Sequence, residues 1–156
     1  MVKRKLEGEV EIRESAKDVF HDFYQNRPHD IPVVNPDFVQ ACDLHEGAYG
    51  TPGSIIEWKY SIDGKPQTMK ELVEVVDEEN KIMKFKCLEG DLMKYYNYFD
   101  ITLQVFPKDN ENSIARWTFE YEKKQDNDPD PTAEMDELIK LAKQIDDHHH
   151  HHTQNT

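Results

Sequence analysis

From Phe38 to Tyr121 apolar and polar side chains alternate with a period of two, in runs separated by short polar turns. That period sends successive side chains to opposite faces of an extended chain, so each run reads as a strand with one apolar face. "DFVQACDLHE" predicts the first strand of this set. "SIIEWKYSI" follows, with Ile56, Trp58, Tyr60 and Ile62 on one face. "TMKELVEVV" places Met69, Glu71, Val73 and Val75 together, and "KIMKFKCL" does the same for Met83, Phe85 and Cys87. "YFDITLQVF" points Phe99, Ile101, Leu103 and Val105 inward, and "IARWTFEYE" points Ala115, Trp117, Phe119 and Tyr121 inward. Asp63-Gly64 is a two-residue hairpin signal.

The flanks follow other rhythms. "KLEGEVEI" alternates around Leu6, Val10 and Ile12 and predicts an N-terminal strand. In "ESAKDVFHDFY", Ser15 reads as an N-cap with Asp18 in the capping-box position, and Ala16, Val19, Phe20 and Phe23 form a helical stripe. Pro28, Pro32 and Pro36 limit the next stretch to a short helix and a turn. After the acidic linker "KKQDNDPDP", Asp130 reads as N-cap and Pro131 as the first helical residue. Met135, Leu138, Ile139, Ala142 and Ile145 then recur at helical spacing. The order of elements is strand, helix or helix pair, six strands and long helix. It predicts an α+β antiparallel meander whose apolar face is covered by the C-terminal helix.

With 156 residues, a single domain over 1–147 is expected. A chain of this size buries about 68–70% of its unfolded surface and needs neither disulfide nor metal to fold. The formal net charge of -13 repels phosphate backbones and anionic bilayers, which argues against nucleic-acid and membrane partners. The two cysteines, Cys42 and Cys87, sit in strand-like runs without C-x-x-C spacing and read as buried free thiols. "MVKRKLEGEVEI" lacks the apolar stretch of a signal peptide, so a reducing cytoplasm is the expected compartment. Residues 148–156, "HHHHHTQNT", read as a disordered tail or an appended tag and are set aside from the fold.

Gly47, Gly50 and Gly53 look at first like a phosphate-cradling loop. The spacing is neither a P-loop nor a dinucleotide fingerprint, no lysine follows, and the next element is a strand. The expectation is a turn that uses glycine for its φ freedom.

"DLHEGAYGTPGSIIEWKYSIDGK", "VVDEENKIMKFKCLEGDL", "YFDITLQVFPK" and "WTFEYEK" together resemble the plant major latex protein family, over roughly residues 3–146. That family sits in the birch pollen allergen superfamily beside the class 10 pathogenesis-related proteins. The resemblance implies a helix-grip (START-like) fold: a seven-stranded curved antiparallel sheet around a long C-terminal helix, with two short helices and an internal apolar cavity. It implies non-covalent binding or transport of small hydrophobic metabolites or hormones, with a defence or stress setting. It also admits a cofactor-independent cyclase or isomerase acting on a reactive terpenoid or alkaloid intermediate. Relatives that condense amines with aldehydes use a cavity lysine, and no inward lysine is evident in these strands.

On this reading the ligand-facing residues are Phe20, Phe23, Ile56, Trp58, Tyr60, Met69, Val73, Met83, Phe85, Phe99, Ile101, Leu103, Trp117, Phe119, Leu138 and Ala142. Tyr60 and Tyr121 would offer hydroxyls to orient a guest. Glu71 is the one acid on an otherwise apolar face. Burial raises an unpaired carboxyl's pKa, by up to roughly 3–5 units, which makes Glu71 the candidate catalytic residue. "EGDLMKYYNYF" supplies Leu92, Met93, Tyr95 and Tyr96 as a candidate rim. His21, His29 and His45 show no metal-ligand spacing, and neither metal nor cofactor is expected. The expected partner is a small hydrophobic ligand, and the expected state a monomer or weak dimer.

Overall fold

The computed structural model describes residues 3–154. Seven strands form one antiparallel sheet: β1 (Lys3–Arg13), β2 (Val39–Glu46), β3 (Ile55–Ile62), β4 (Lys65–Asp77), β5 (Ile82–Gly90), β6 (Tyr96–Pro107) and β7 (Asn112–Lys123). Their spatial order is β1-β7-β6-β5-β4-β3-β2. Two short helices, α1 (Lys17–Gln25) and α2 (Ile31–Val34), carry the chain from β1 at one edge to β2 at the other. The chain then meanders back strand by strand until β7 pairs with β1. The long helix α3 (Thr132–Gln154) packs on β1, β7 and both short helices. Within the set-aside tail, the side chains beyond His148 and the whole of Asn155 and Thr156 lie outside the described residues.

The turn between β3 and β4 is the two-residue hairpin that Asp63-Gly64 predicts. Both residues adopt positive φ, 51° and 77°, as a type I′ turn requires. Register shifts interrupt the ladder of β4 with β5 between Lys70 and Glu71 and between Val73 and Val75. Such bulges bend a strand, and a one-residue slip reverses which side chains point inward. Strict alternation puts Val75 inside, but it is 39% exposed. Val76 packs against the core in its place, opposite Met83.

Helix starts also depart from the sequence reading. A 3-10 turn at Glu14–Ala16 precedes α1, so Ser15 is not the N-cap. Glu14 instead accepts hydrogen bonds from Lys17 and from the Ser113 hydroxyl. α3 begins at Thr132, and the Pro131 carbonyl accepts from the Met135 amide at 3.1 Å. Pro131 is therefore the residue before the helix, and the Asp130 carboxylate serves Tyr121 and Lys123 rather than capping.

Two features seat α3 on β1. At Gly8 a Cβ would lie 2.7 Å from the Met135 sulfur, so the bare backbone leaves room for the Met135 side chain to pack directly on β1. Near the other end, Asp146 is 1% exposed and accepts from the Arg13 amide at 3.1 Å and its guanidinium at 2.9 Å. A buried carboxylate is tolerated when paired in this way. Cys42 and Cys87 are buried free thiols, as the spacing suggests.

Gly47, Gly50 and Gly53 all have positive φ. The Thr51 and Ser54 amides donate to carbonyls within the loop, and the Gly53 amide donates to Val73 on β4 at 2.8 Å. Those donors close the turn and join β3 to β4.

Candidate ligand-binding site

The inner face of the sheet and the underside of α3 do not meet everywhere. Between them lies a chamber in which the centre of a water-sized molecule has about 90 Å³ of room. For a compact shape, adding water's ~1.4 Å radius all round gives a guest envelope on the order of 300 Å³, the lower end of the small-molecule range.

The chamber draws on several elements. Trp58 and Tyr60 come from β3, Met69 and Glu71 from β4, Phe85 from β5, Phe99 and Ile101 from β6, and Trp117 and Phe119 from β7. Leu138 reaches down from α3. Ten residues expected to face a guest, Glu71 included, thus share one space. Phe20, Phe23, Ile56, Val73, Met83, Leu103 and Ala142 do not line it. All seven are buried instead in the surrounding packed core. Phe23 is covered by the Arg27 guanidinium, 4.4 Å above its ring.

Sequence reasoning missed Tyr24, Ile31, Phe38, Val39, Glu134 and Leu141, which with Leu92 of the expected rim complete the lining. Tyr24 was legible as the residue four beyond Phe20, and the two rings sit 5.2 Å apart. Glu134 and Leu141 lie about one turn to either side of Leu138 on α3, at the edge of the stripe read from sequence. Ile31 sits among Pro28, Pro32 and Pro36, where no periodicity exists to read, and Phe38 stands at the very start of the first alternating run.

Two of the suggested polar and rim roles go elsewhere. Tyr121 donates its hydroxyl to Asp130 at 2.7 Å and does not line the chamber. Tyr96 is 1% exposed, donates to the Pro129 carbonyl and packs on Phe99 and Tyr121. It is core rather than gate. Leu92, in the 3-10 turn Asp91–Lys94, does line the chamber, Met93 packs on the core and Tyr95 is exposed.

Few polar atoms touch this space. Glu71 is 5% exposed and accepts from the Trp58 indole N–H at 3.0 Å. Burial lifts its carboxyl to about 7, against the smaller opposing pull of the indole. The thiols of Cys42 and Cys87 feel burial first and the Glu71 charge second; Cys87 is pushed up to about 12 and Cys42 is raised further. Glu134 is also raised, chiefly by burial. Its Oε2, the Tyr24 hydroxyl and the Trp117 indole nitrogen are buried without a hydrogen-bond partner. No lysine or arginine lines the chamber.

The histidines lie apart from it. His29 stacks on Tyr49 with ring centroids 4.4 Å apart, and His45 lies 3.5 Å from Glu57. Among the described residues no group of three or more His, Cys, Asp or Glu side chains is placed to hold a metal ion.

Comparison with known proteins agrees with this architecture. The Pathogenesis-related protein Bet v 1 family matches residues 1–152. MLP-like protein 43 of Arabidopsis thaliana is 46% identical over 92% of this chain and 91% of that relative. MLP-like protein 34 of the same plant is 43% identical over 92% of this chain, which spans only 45% of that longer relative. The crystal structure of ginseng major latex-like protein 151 from Panax ginseng superposes with a TM-score of 0.90 at 36% identity, covering 96% of this chain and 99% of that one.

Proposed function

The chain belongs to the Pathogenesis-related protein Bet v 1 family, and from that premise we propose that it binds one small, mostly apolar plant metabolite or hormone non-covalently beneath α3. A ligand-binding role in general accords with this family and its major latex protein relatives. The observation that carries the finer reading is the chamber, walled by aromatic and aliphatic side chains from six strands of the sheet and all three helices. A guest burying ~250 Å² of apolar surface gains about 6 kcal/mol at ~25 cal/mol per Å², before the losses of association. The few polar atoms then orient it. Carriage of a defence- or stress-related compound by a cytoplasmic monomer or weak dimer fits the acidic surface and buried thiols. No described helix is long and apolar enough to cross a membrane.

Fluorescence titration with the neutral apolar probe N-phenyl-1-naphthylamine tests this reading. Saturable enhancement, displaced by plant metabolites, is expected; a flat titration refutes it. Native mass spectrometry of protein from its source would give the mass of a retained guest.

Glu71 supports a second reading, a cyclase or isomerase that moves one proton on a reactive terpenoid or alkaloid intermediate. Its carboxyl is buried and titrates near neutrality, where an acid–base group is most useful. Turnover lost in Glu71→Gln with binding retained would establish catalysis, and binding with no change of product would leave the carrier.

A further inference from the structure

We infer that α1 is an acid-operated door to the chamber: uptake of a proton by His21 parts α1 from the turn between β4 and β5 and speeds release of the guest. This rests on the carrier reading and adds its regulation.

α1 is nine residues long, too short to be stable by itself, so its place depends on what it packs against. Phe20 and Tyr24 face the core, and Tyr24 forms part of the chamber wall, edge to face with Trp117. On an adjoining side Lys17, His21 and Gln25 recur every four residues. That row meets residues 78–81, the turn from β4 to β5. The Gln25 side-chain amide donates to Glu78 at 2.6 Å, and the Lys81 ammonium lies 3.0 Å from the Asp18 carboxylate. His21 stands between these two contacts along the helix. The turn itself is braced. Asp77 accepts from the amide and the side chain of Asn80, and the Val105 amide donates to the Lys81 carbonyl at 3.0 Å. When the clasp yields, α1 is therefore the part that moves.

The His21 imidazole is 3% exposed, and its Nε2 is buried with no hydrogen-bond partner among the described residues. Burial holds its pKa below the ordinary 6.5, and the Lys81 charge adds to this, while Glu78, Asp18 and Asp22 pull the other way by less. Each of those carboxylates is already engaged: Glu78 with Gln25, Asp18 with Lys81, and Asp22 with Asn26 at 2.7 Å. On the other elements packed on α1, Glu14 is tied to Lys17, and Asp30 of the 3-10 turn Pro28–Asp30 to Arg27. On α3, Asp146 and Asp147 are tied to Arg13 and Lys143. A charged imidazole thus finds no free acceptor in place. It must draw Glu78 or Asp18 out of the clasp or turn to water, and either loosens α1. Water is close by, because Lys17 and Lys81 line an open groove of about 400 Å³ along this contact.

The effect on stability is opposite in sign to that of Glu71. Between pH 6.5 and the lower folded pKa, the unfolded chain binds the His21 proton and the folded one does not. Stability from this group therefore falls as pH drops below about 6.5.

Stopped-flow release of N-phenyl-1-naphthylamine between pH 7.5 and pH 5 tests the inference. Wild type is expected to release the probe at least about tenfold faster at pH 5. His21→Phe, which fills the site without a titratable group, and His21→Gln should both lose most of this acceleration. Glu71→Gln should keep it whatever its affinity at pH 7.5, and so should His29→Gln. Melting the ligand-free proteins over the same range gives a second readout: on acidification wild type should lose Tm relative to His21→Phe. An acceleration that persists in both His21 variants, or parallel melting profiles of wild type and His21→Phe, overturns the inference. If the probe binds and its release does not depend on pH, the carrier reading survives and the door falls. If no probe binds at any pH, the carrier reading falls and the release role with it.

Discussion

Trp58 on β3 donates its indole N–H to Glu71 on β4 across 3.0 Å, inside the apolar face of the sheet. Trp58 pairs with Met69 in the ladder, so the bond runs diagonally to the residue two further along β4. A carboxyl so placed is desolvated yet not neutralised by any basic side chain of the lining. Its behaviour is therefore the most direct probe of the chamber.

Glu71 should make the protein less stable as pH rises. Its folded pKa, about 7, lies above the 4.5 of an ordinary glutamate. Between these values the unfolded chain releases the proton while the folded one keeps it, so stability falls from about pH 4.5 to 7 and then levels off. The total is on the order of 3 kcal/mol. Urea unfolding of wild type and Glu71→Gln should give similar stabilities near pH 4.5 and a clear advantage for the variant at pH 8. Parallel pH profiles would contradict a buried, near-neutral carboxyl.

Filling the chamber should abolish binding without unfolding the protein. Leu138 reaches into it from α3 and is only partly buried. Leu138→Trp should eliminate the fluorescence response to N-phenyl-1-naphthylamine while shifting Tm by only a few degrees, equivalent to about 1 kcal/mol. Undiminished probe binding in this variant would place the guest elsewhere.

The seat of α3 depends on Asp146. Replacing it with alanine removes the acceptor for the Arg13 amide and guanidinium. Because the Arg13 side chain remains one-third exposed and can rehydrate, the expected loss is about 2 kcal/mol. Chemical denaturation measures it, and Asp147→Ala, an exposed neighbour, serves as the control with a loss below about 0.5 kcal/mol.

Two glycines of positive φ should respond differently to alanine. At Gly64 a Cβ meets open space, so only backbone strain of about 1 kcal/mol arises. At Gly90, with φ at 132°, it would lie 2.2 Å from the Thr68 carbonyl oxygen, and the strand must shift. Gly90→Ala should lose about 3 kcal/mol or more by urea melts.

Cys42 and Cys87 should resist thiol reagents. Both are buried, and burial with the nearby Glu71 charge holds each thiol protonated at pH 8. Labelling with an aromatic disulfide reagent should be slow in native protein and immediate in denaturant; fast native labelling would indicate an opening of the sheet near β2.

The amino-acid order by itself determined the strands, the Asp63-Gly64 hairpin, the apolar stripe of α3 and the ranking of Glu71 as the odd acid, because each is a local repeat of side-chain chemistry that period two or 3.6 exposes. Tertiary structure alone decided where that repeat fails. The bulges of β4 turn Val75 out and Val76 in, and no alternation of residue types announces a bulge. It also decided which inward residues face empty space and which fill it. Trp117 lines the chamber while Leu103, beside it in the ladder, is plain core, although both obey the same pattern. The reason is geometric: a hollow is a property of the distance between α3 and the curved sheet, and distance across a fold is written by no single strand.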